Sequence, residues 1–227
     1  MLKRLALIAV SAALLGAALL APSASARILE LGDTSEPAKS NCPNNPCEVV
    51  GRVTGYQGRS GNVKNPFRVP HTGKIVAFTV KLAKLEDNQI KFFTDLYGTP
   101  PQVRLSILKP GRTKKSRLDH RLIAQSPTFR VDQYFGASPS FALDKPLAVK
   151  PGNIVALTVP TWAPAFARDL SRNNWWRSSR KKGKCDNVSQ HTEIESVGTV
   201  GTFGCTYHTA RLLYSATYVQ TPTPVKK

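Results

Sequence analysis

The run Asn153-Ile154-Val155-Ala156-Leu157-Thr158-Val159 constrains the fold more than any other stretch of the chain. Successive side chains of a strand point to opposite faces. Here Ile154 and Ala156 fall on one face and Val155, Leu157 and Val159 on the other, so the strand belongs inside a sheet covered on both sides. Lys150-Pro151-Gly152 ahead of it carries the residues that a tight turn uses. Downstream, Pro160-Thr161-Trp162-Ala163-Pro164 leads into a Trp- and Arg-rich loop closed by Cys185 and Cys205. A core strand thus feeds the most chemically decorated loop of the chain.

Further short strands surround it. Val49 to Thr54 reads as a strand, followed by a Gly- and Asn-rich connection from Gly55 to Asn65. From Lys74 to Leu82 the alternation places Val76, Phe78, Val80 and Leu82 on one face. Val103 to Leu108 and Arg121 to Ala124 flank a charged run, Gly111 to Arg121, that reads as an exposed hairpin connection. Phe129 to Phe135 and Phe141 to Val149 supply more strands, and Ala210 to Val219 puts Leu212, Tyr214, Ala216 and Tyr218 together. Between Glu86 and Gly98 the period becomes helical: Phe92, Phe93, Leu96 and Tyr97 recur, Gly98 is placed to end the helix, and Asp87 is the candidate cap. The expected fold is mainly β, a single antiparallel β-sandwich or jelly roll with one or two short helices, and a β-barrel is the nearest alternative.

The segments Arg104-Leu105-Ser106-Ile107-Leu108, Phe141-Ala142-Leu143-Asp144-Lys145-Pro146-Leu147 and Gly152 to Pro164, with Phe92-Phe93 before a glycine, together resemble a group of uncharacterised exported β-sandwich proteins of high-GC bacteria. The resemblance covers most of the chain beyond the N-terminal segment. It implies a fold and export, and no activity.

The N-terminus has the three parts of a secretory signal: Lys3 and Arg4, an apolar run from Leu5 to Leu20, and Ala24-Ser25-Ala26 as an A-x-A cleavage site. The apolar run is shorter than the ~20 residues a spanning helix needs, so no membrane span is expected after cleavage. The expected organisation is a signal peptide over 1–26, a polar arm over 27–47, the β-domain over 48–219 and a loose tail over 220–227. Cleavage removes Lys3 and Arg4 with no acid, so the formal charge falls from +18 to +16. A chain that basic attracts polyanions. In an exported chain four cysteines read as two disulfides, and proximity favours Cys42 with Cys47 and Cys185 with Cys205. Zinc is the competing reading, but this spacing is unlike two tight knuckles.

Common catalytic signatures are missing. There is no G-x-S-x-G, H-E-x-x-H, P-loop or Gly-rich dinucleotide turn, and His71, His120, His191 and His208 are scattered, so no cofactor or metal is expected. Glu193 and Glu195 would share one face of an extended segment, as paired glycosidase carboxylates require, yet any i, i+2 pair does so. The stronger signal lies in Asn173 to Lys184. Trp175 and Trp176 offer flat faces for stacking and cation–π contact, while Arg177, Arg180, Lys181 and Lys182 supply a dense positive field. The opposing reading is that one Trp plugs the core and the basic residues form a solvated loop pinned by the cysteines.

These features point to a secreted, cell-wall-associated, non-catalytic binding module for anionic cell-surface polymers or carbohydrate, with anionic polysaccharide or wall polymer as partner ahead of a nucleic-acid strand. A structural or protein-interaction domain of the envelope is the alternative, and a secreted glycoside or polymer hydrolase comes third.

Overall fold

The computed structural model describes residues 26–32 and 38–222; the expected signal peptide, apart from Ala26, and residues 223–227 of the expected tail lie outside the described residues. In chain order the strands are β1 (Ile28–Leu31), β2 (Val50–Ser60), β3 (Val63–Lys64), β4 (Gly73–Val80), β5 (Gln102–Pro110), β6 (Asp119–Gln125), β7 (Phe129–Arg130) and β8 (Ser140–Val149). They continue with β9 (Ile154–Ala163), β10 (Phe166–Ala167), β11 (Trp175–Ser178), β12 (Val200–Thr202), β13 (Cys205–His208), β14 (Arg211–Leu212) and β15 (Tyr214–Gln220). One α-helix, α1 (Asp87–Tyr97), follows β4. The protein is mainly β and antiparallel, as its alternation requires.

Two sheets face each other. The smaller of the two runs β1-β15-β4-β8 and the larger β12-β6-β5-β9-β2-β11-β13, with β3 beside β2 and β7 beside β5, while β10 and β14 pair as a separate two-stranded sheet. Ile75, Phe78, Phe141 and Tyr218 of the smaller sheet share a core with Val53, Leu105, Ile107 and Leu157 of the larger. That contact makes the sandwich.

The larger sheet also curls. Laid flat, seven strands at ~4.8 Å spacing would hold β12 and β13 about 29 Å apart. Yet only Phe203 and Gly204 separate them in the chain, which limits Thr202 to Cys205 to about 11 Å. The sheet therefore wraps into a half-barrel with its own interior: Tyr56, Leu108, Leu122, Ile154, Ala156, Ile194 and Phe203. This explains why β9 is apolar on both faces. Val155, Leu157 and Val159 enter the sandwich core, while Ile154 and Ala156 enter the half-barrel. Beside them runs a polar seam in which the Thr158 hydroxyl meets those of Thr54 at 2.8 Å and Ser106 at 2.7 Å. Buried hydroxyls need such partners, and here they satisfy one another.

The structure departs from the sequence pattern in five places. The stretch Phe129 to Phe135, expected as a strand, is strand only over Phe129–Arg130 and turns into a short 3-10 helix at Asp132–Tyr134. In β4, Ile75, Phe78 and Val80 are buried while Val76 is half-buried, because pairing with both β8 and β15 shifts at Val76. That bulge flips the alternation in mid-strand. Strand β2 runs on through Gly55 and Gly58, which had signalled a connection. A Cβ at Gly55 would lie 2.8 Å from Trp176 Cζ3, and one at Gly58 1.8 Å from Trp175 Cζ3, so both glycines serve close approach of indole rings to the strand. On α1 the cap is Glu86 in place of Asp87, through a capping box with Gln89. Finally, the segment read as a polar arm contributes β1, which pairs with β15.

Both expected disulfides are present, Cys42–Cys47 and Cys185–Cys205. The first sits under α1, where Phe93 and Tyr97 pack on the fully buried Trp162, whose indole Nε1 donates to Gly98 O at 3.1 Å. Among the described residues no helix is long and apolar enough to cross a membrane.

Candidate functional site

Strand β11 divides the six candidate residues. It lies between β2 and β13, and its alternation sends Trp175 and Arg177 to the half-barrel side and Trp176 to the sandwich side. Trp176 is 4% exposed, with its ring stacked on Tyr207 at a centroid distance of 4.5 Å. Arg180, after the strand, is also 4% exposed. Its guanidinium donates to Gly51 O (3.0 Å), Asn187 O (3.2 Å), Val188 O (3.3 Å) and the Tyr207 hydroxyl (3.2 Å). These contacts make it the tether that ties the Cys185–Cys205 loop to β2. Trp176 and Arg180 line a cavity of about 360 Å³ under α1, whose wall includes Phe93, Tyr97 and the exposed Phe92. Lys181 and Lys182 are exposed in the turn that follows and line none of the cavities described here.

Trp175 and Arg177 instead border a cavity of about 250 Å³ at the mouth of the half-barrel. The Trp175 indole lies against Gly58, and the Arg177 guanidinium sits 5.6 Å from its ring centroid. Arg177 Nη1 also donates to Phe203 O at 3.3 Å. This Arg is held by a cation–π contact and a carbonyl, which orients it without neutralising it. Arg68 and Arg117 complete the basic lining, and among the described residues no carboxylate lines the cavity. Neither Arg68 nor Arg117 forms an ion pair among the described residues.

The inner wall is aromatic. The Tyr56 hydroxyl and His120 Nε2 are 2.9 Å apart, and the imidazole stacks on Phe203 at 4.6 Å. Burial pushes the Tyr56 hydroxyl up to about 12, with Arg177 and Arg68 acting in the opposite sense, so it stays a neutral O–H. Burial holds the His120 imidazole below its usual value; Arg177 and Arg68 push the same way, against the Asp119 carboxylate and a backbone hydrogen bond at Asp119. The ring is neutral at pH 7.

A second basic cavity adjoins the first and shares Arg68 and Pro110 with it. Its volume is about 990 Å³, its lining includes Lys74, Lys109, Arg112 and Lys150, and again no carboxylate among the described residues faces it. Sequence reasoning missed all of these. Arg112 and Arg117 lie in the charged hairpin Gly111 to Arg121, which was legible as charge and not as a wall. Arg68 and His120 carried no local signal at all.

The two acidic candidates stand elsewhere. The Glu193 side chain is 6% exposed and bonded to His191 Nδ1 at 2.7 Å, whereas that of Glu195 is 61% exposed beside Arg104 at 3.8 Å. Neither lines the cavities described above. Among the described residues no three His, Cys, Asp or Glu side chains gather as a metal site. No family model, no curated protein and no solved structure matches the chain.

Proposed function

We propose that this protein is a secreted, non-catalytic binding module for anionic cell-surface polymers, anionic polysaccharide above all, held at the cell wall by the same charge. The observation that carries the reading is the continuous basic face made by two adjoining cavities, to which Arg68, Arg117, Arg177, Lys74, Lys109, Arg112 and Lys150 contribute and, among the described residues, no Asp or Glu does. A cleft lined by one sign of charge concentrates counter-charged partners. Two disulfides suit an extracellular setting. The reading moves the working surface from the loop Asn173 to Lys184 to the end of the half-barrel, keeping Trp175 and Arg177 and adding the basic residues above.

The test is retention of the domain on insoluble anionic and neutral polysaccharides across a salt series. Binding to the anionic polymer alone, falling steeply as salt rises, is expected, because released counterions drive such association. Retention on neither polymer at low salt refutes the proposal. A protein-interaction role in the envelope is the second reading, supported by Phe92, which is 60% exposed at the rim of the cavity under α1. It predicts partner capture that is insensitive to salt and lost in Phe92→Ser.

A further inference from the structure

The two basic cavities differ in kind. The larger, at about 990 Å³, has room for several units of a polymer chain. The smaller, at about 250 Å³, lies below the ~300–1,000 Å³ of ordinary small-molecule sites, and so takes a single substituent more readily than a whole saccharide. Its cations are all arginines: Arg68, Arg117 and Arg177. A guanidinium presents a planar fork that matches two oxygens of one anion. One carboxylate, with two oxygens, satisfies one fork. Three forks around a small cavity match a group with three terminal oxygens, which both a phosphate and a sulfate monoester present.

We propose that the mouth of the half-barrel is a subsite for one tetrahedral oxyanion, a phosphate or sulfate ester on a sugar of the bound polymer, with Arg68, Arg117 and Arg177 as its ligands. This rests on the binding-module reading above and specifies the substituent it selects. Arg177 is fixed in advance by Trp175, which Gly58 seats against β2. Tyr56, 8% exposed, and His120, 2% exposed, form an uncharged polar floor that adds hydrogen-bonding capacity without an opposing charge. The neighbouring groove carries the rest of the polymer, whose charges meet Lys74, Lys109, Arg112 and Lys150.

The experiment is calorimetric titration of the full domain with glucose 6-phosphate, glucose 6-sulfate, glucuronate and glucose at low salt, with the His120 ring resonances followed by NMR. Saturable binding of one or both esters, at least about tenfold tighter than glucuronate and with no binding of glucose, is expected. The comparison of phosphate with sulfate identifies which ester the site prefers. Arg117→Gln, at an exposed side chain with no ion pair, is expected to weaken the ester about tenfold, and Lys181→Gln to leave it unchanged. The His120 resonances should move with the ester and stay still with glucose.

Glucuronate binding as tightly as the esters, or Arg117→Gln behaving like Lys181→Gln, overturns the subsite. If the esters fail while anionic polymer is still retained, the subsite fails and the binding module stands. Ester binding without retention of any polymer leaves the pocket as a small-anion site and removes the module, whereas failure of both removes both.

Discussion

Truncating Arg180 separates a structural tether from a ligand contact. Its guanidinium makes four hydrogen bonds, one of them to the buried carbonyl of Gly51 and three to part-buried acceptors on the disulfide loop and Tyr207. In Arg180→Ala the Gly51 carbonyl loses its side-chain donor in a buried setting, which costs about 1–3 kcal/mol. Water can replace the other three, at about 0.5 kcal/mol each. The guanidinium no longer has to be desolvated, which offsets part of the sum and leaves a net loss of about 2–3 kcal/mol. For a domain of this size that lowers Tm by about 5–10 °C. Thermal unfolding followed by circular dichroism reads the shift, and polymer retention well below the new midpoint reads binding. Retention is expected to change no more than for removal of one remote charge. A variant that melts with the wild type yet loses retention would place Arg180 against the ligand and refute the tether.

The remaining predictions concern the elements around the same strand. Gly58→Ala puts a methyl where the Trp175 ring lies, so it should shift tryptophan emission and weaken anionic-polymer binding in the same sense as Trp175→Ala; unchanged emission and binding would mean the ring does not need that seat. Replacing Cys185 and Cys205 together by Ser opens a loop with a sequence separation of 20 and should cost about 3 kcal/mol in urea unfolding, with a negligible change counting against the loop-entropy argument. His120 has a folded value below its ordinary 6.5, so the unfolded chain takes up the proton first as pH falls. Its contribution to stability is therefore complete above 6.5, declines between 6.5 and the folded value, and changes no further below that. Urea midpoints from pH 7.5 to 4.5 should slope less in His120→Gln than in the wild type, and parallel curves would contradict the assignment.

What the sequence could convey depended on the range of the interaction. Strand β9 was legible because two-sided burial writes itself into consecutive residues, and α1 because Phe92, Phe93, Leu96 and Tyr97 repeat at helical spacing. The cysteine pairs were legible from proximity and compartment. Gly55 and Gly58 misled, since a glycine that admits a distant indole looks locally like one that makes a turn. The bulge at Val76 is likewise set by its two neighbouring strands and leaves no mark in the alternation itself. In the candidate site the density of basic and aromatic residues was visible in Trp175 and Arg177, but alternation alone could not say which face of β11 was occupied by core. Arg68 reaches the cavity from one part of the chain, the neighbours Arg117 and His120 from a second, and Trp175 with Arg177 from a third. Only the curl of the larger sheet brings them together.

That curl also bears on self-association. An open sheet of this size ordinarily offers two long rows of unpaired backbone donors and acceptors, and such rows template pairing with further chains. Here the outermost strands are the short β12 and β13, and the passage through Phe203 and Gly204 draws them toward each other. The chain thereby blunts both ends of its largest sheet with one crossing. The long edge left to guard is therefore that of the smaller sheet, the ten-residue β8, whose outward run carries Asp144, Lys145 and Pro146, residues that discourage edge pairing.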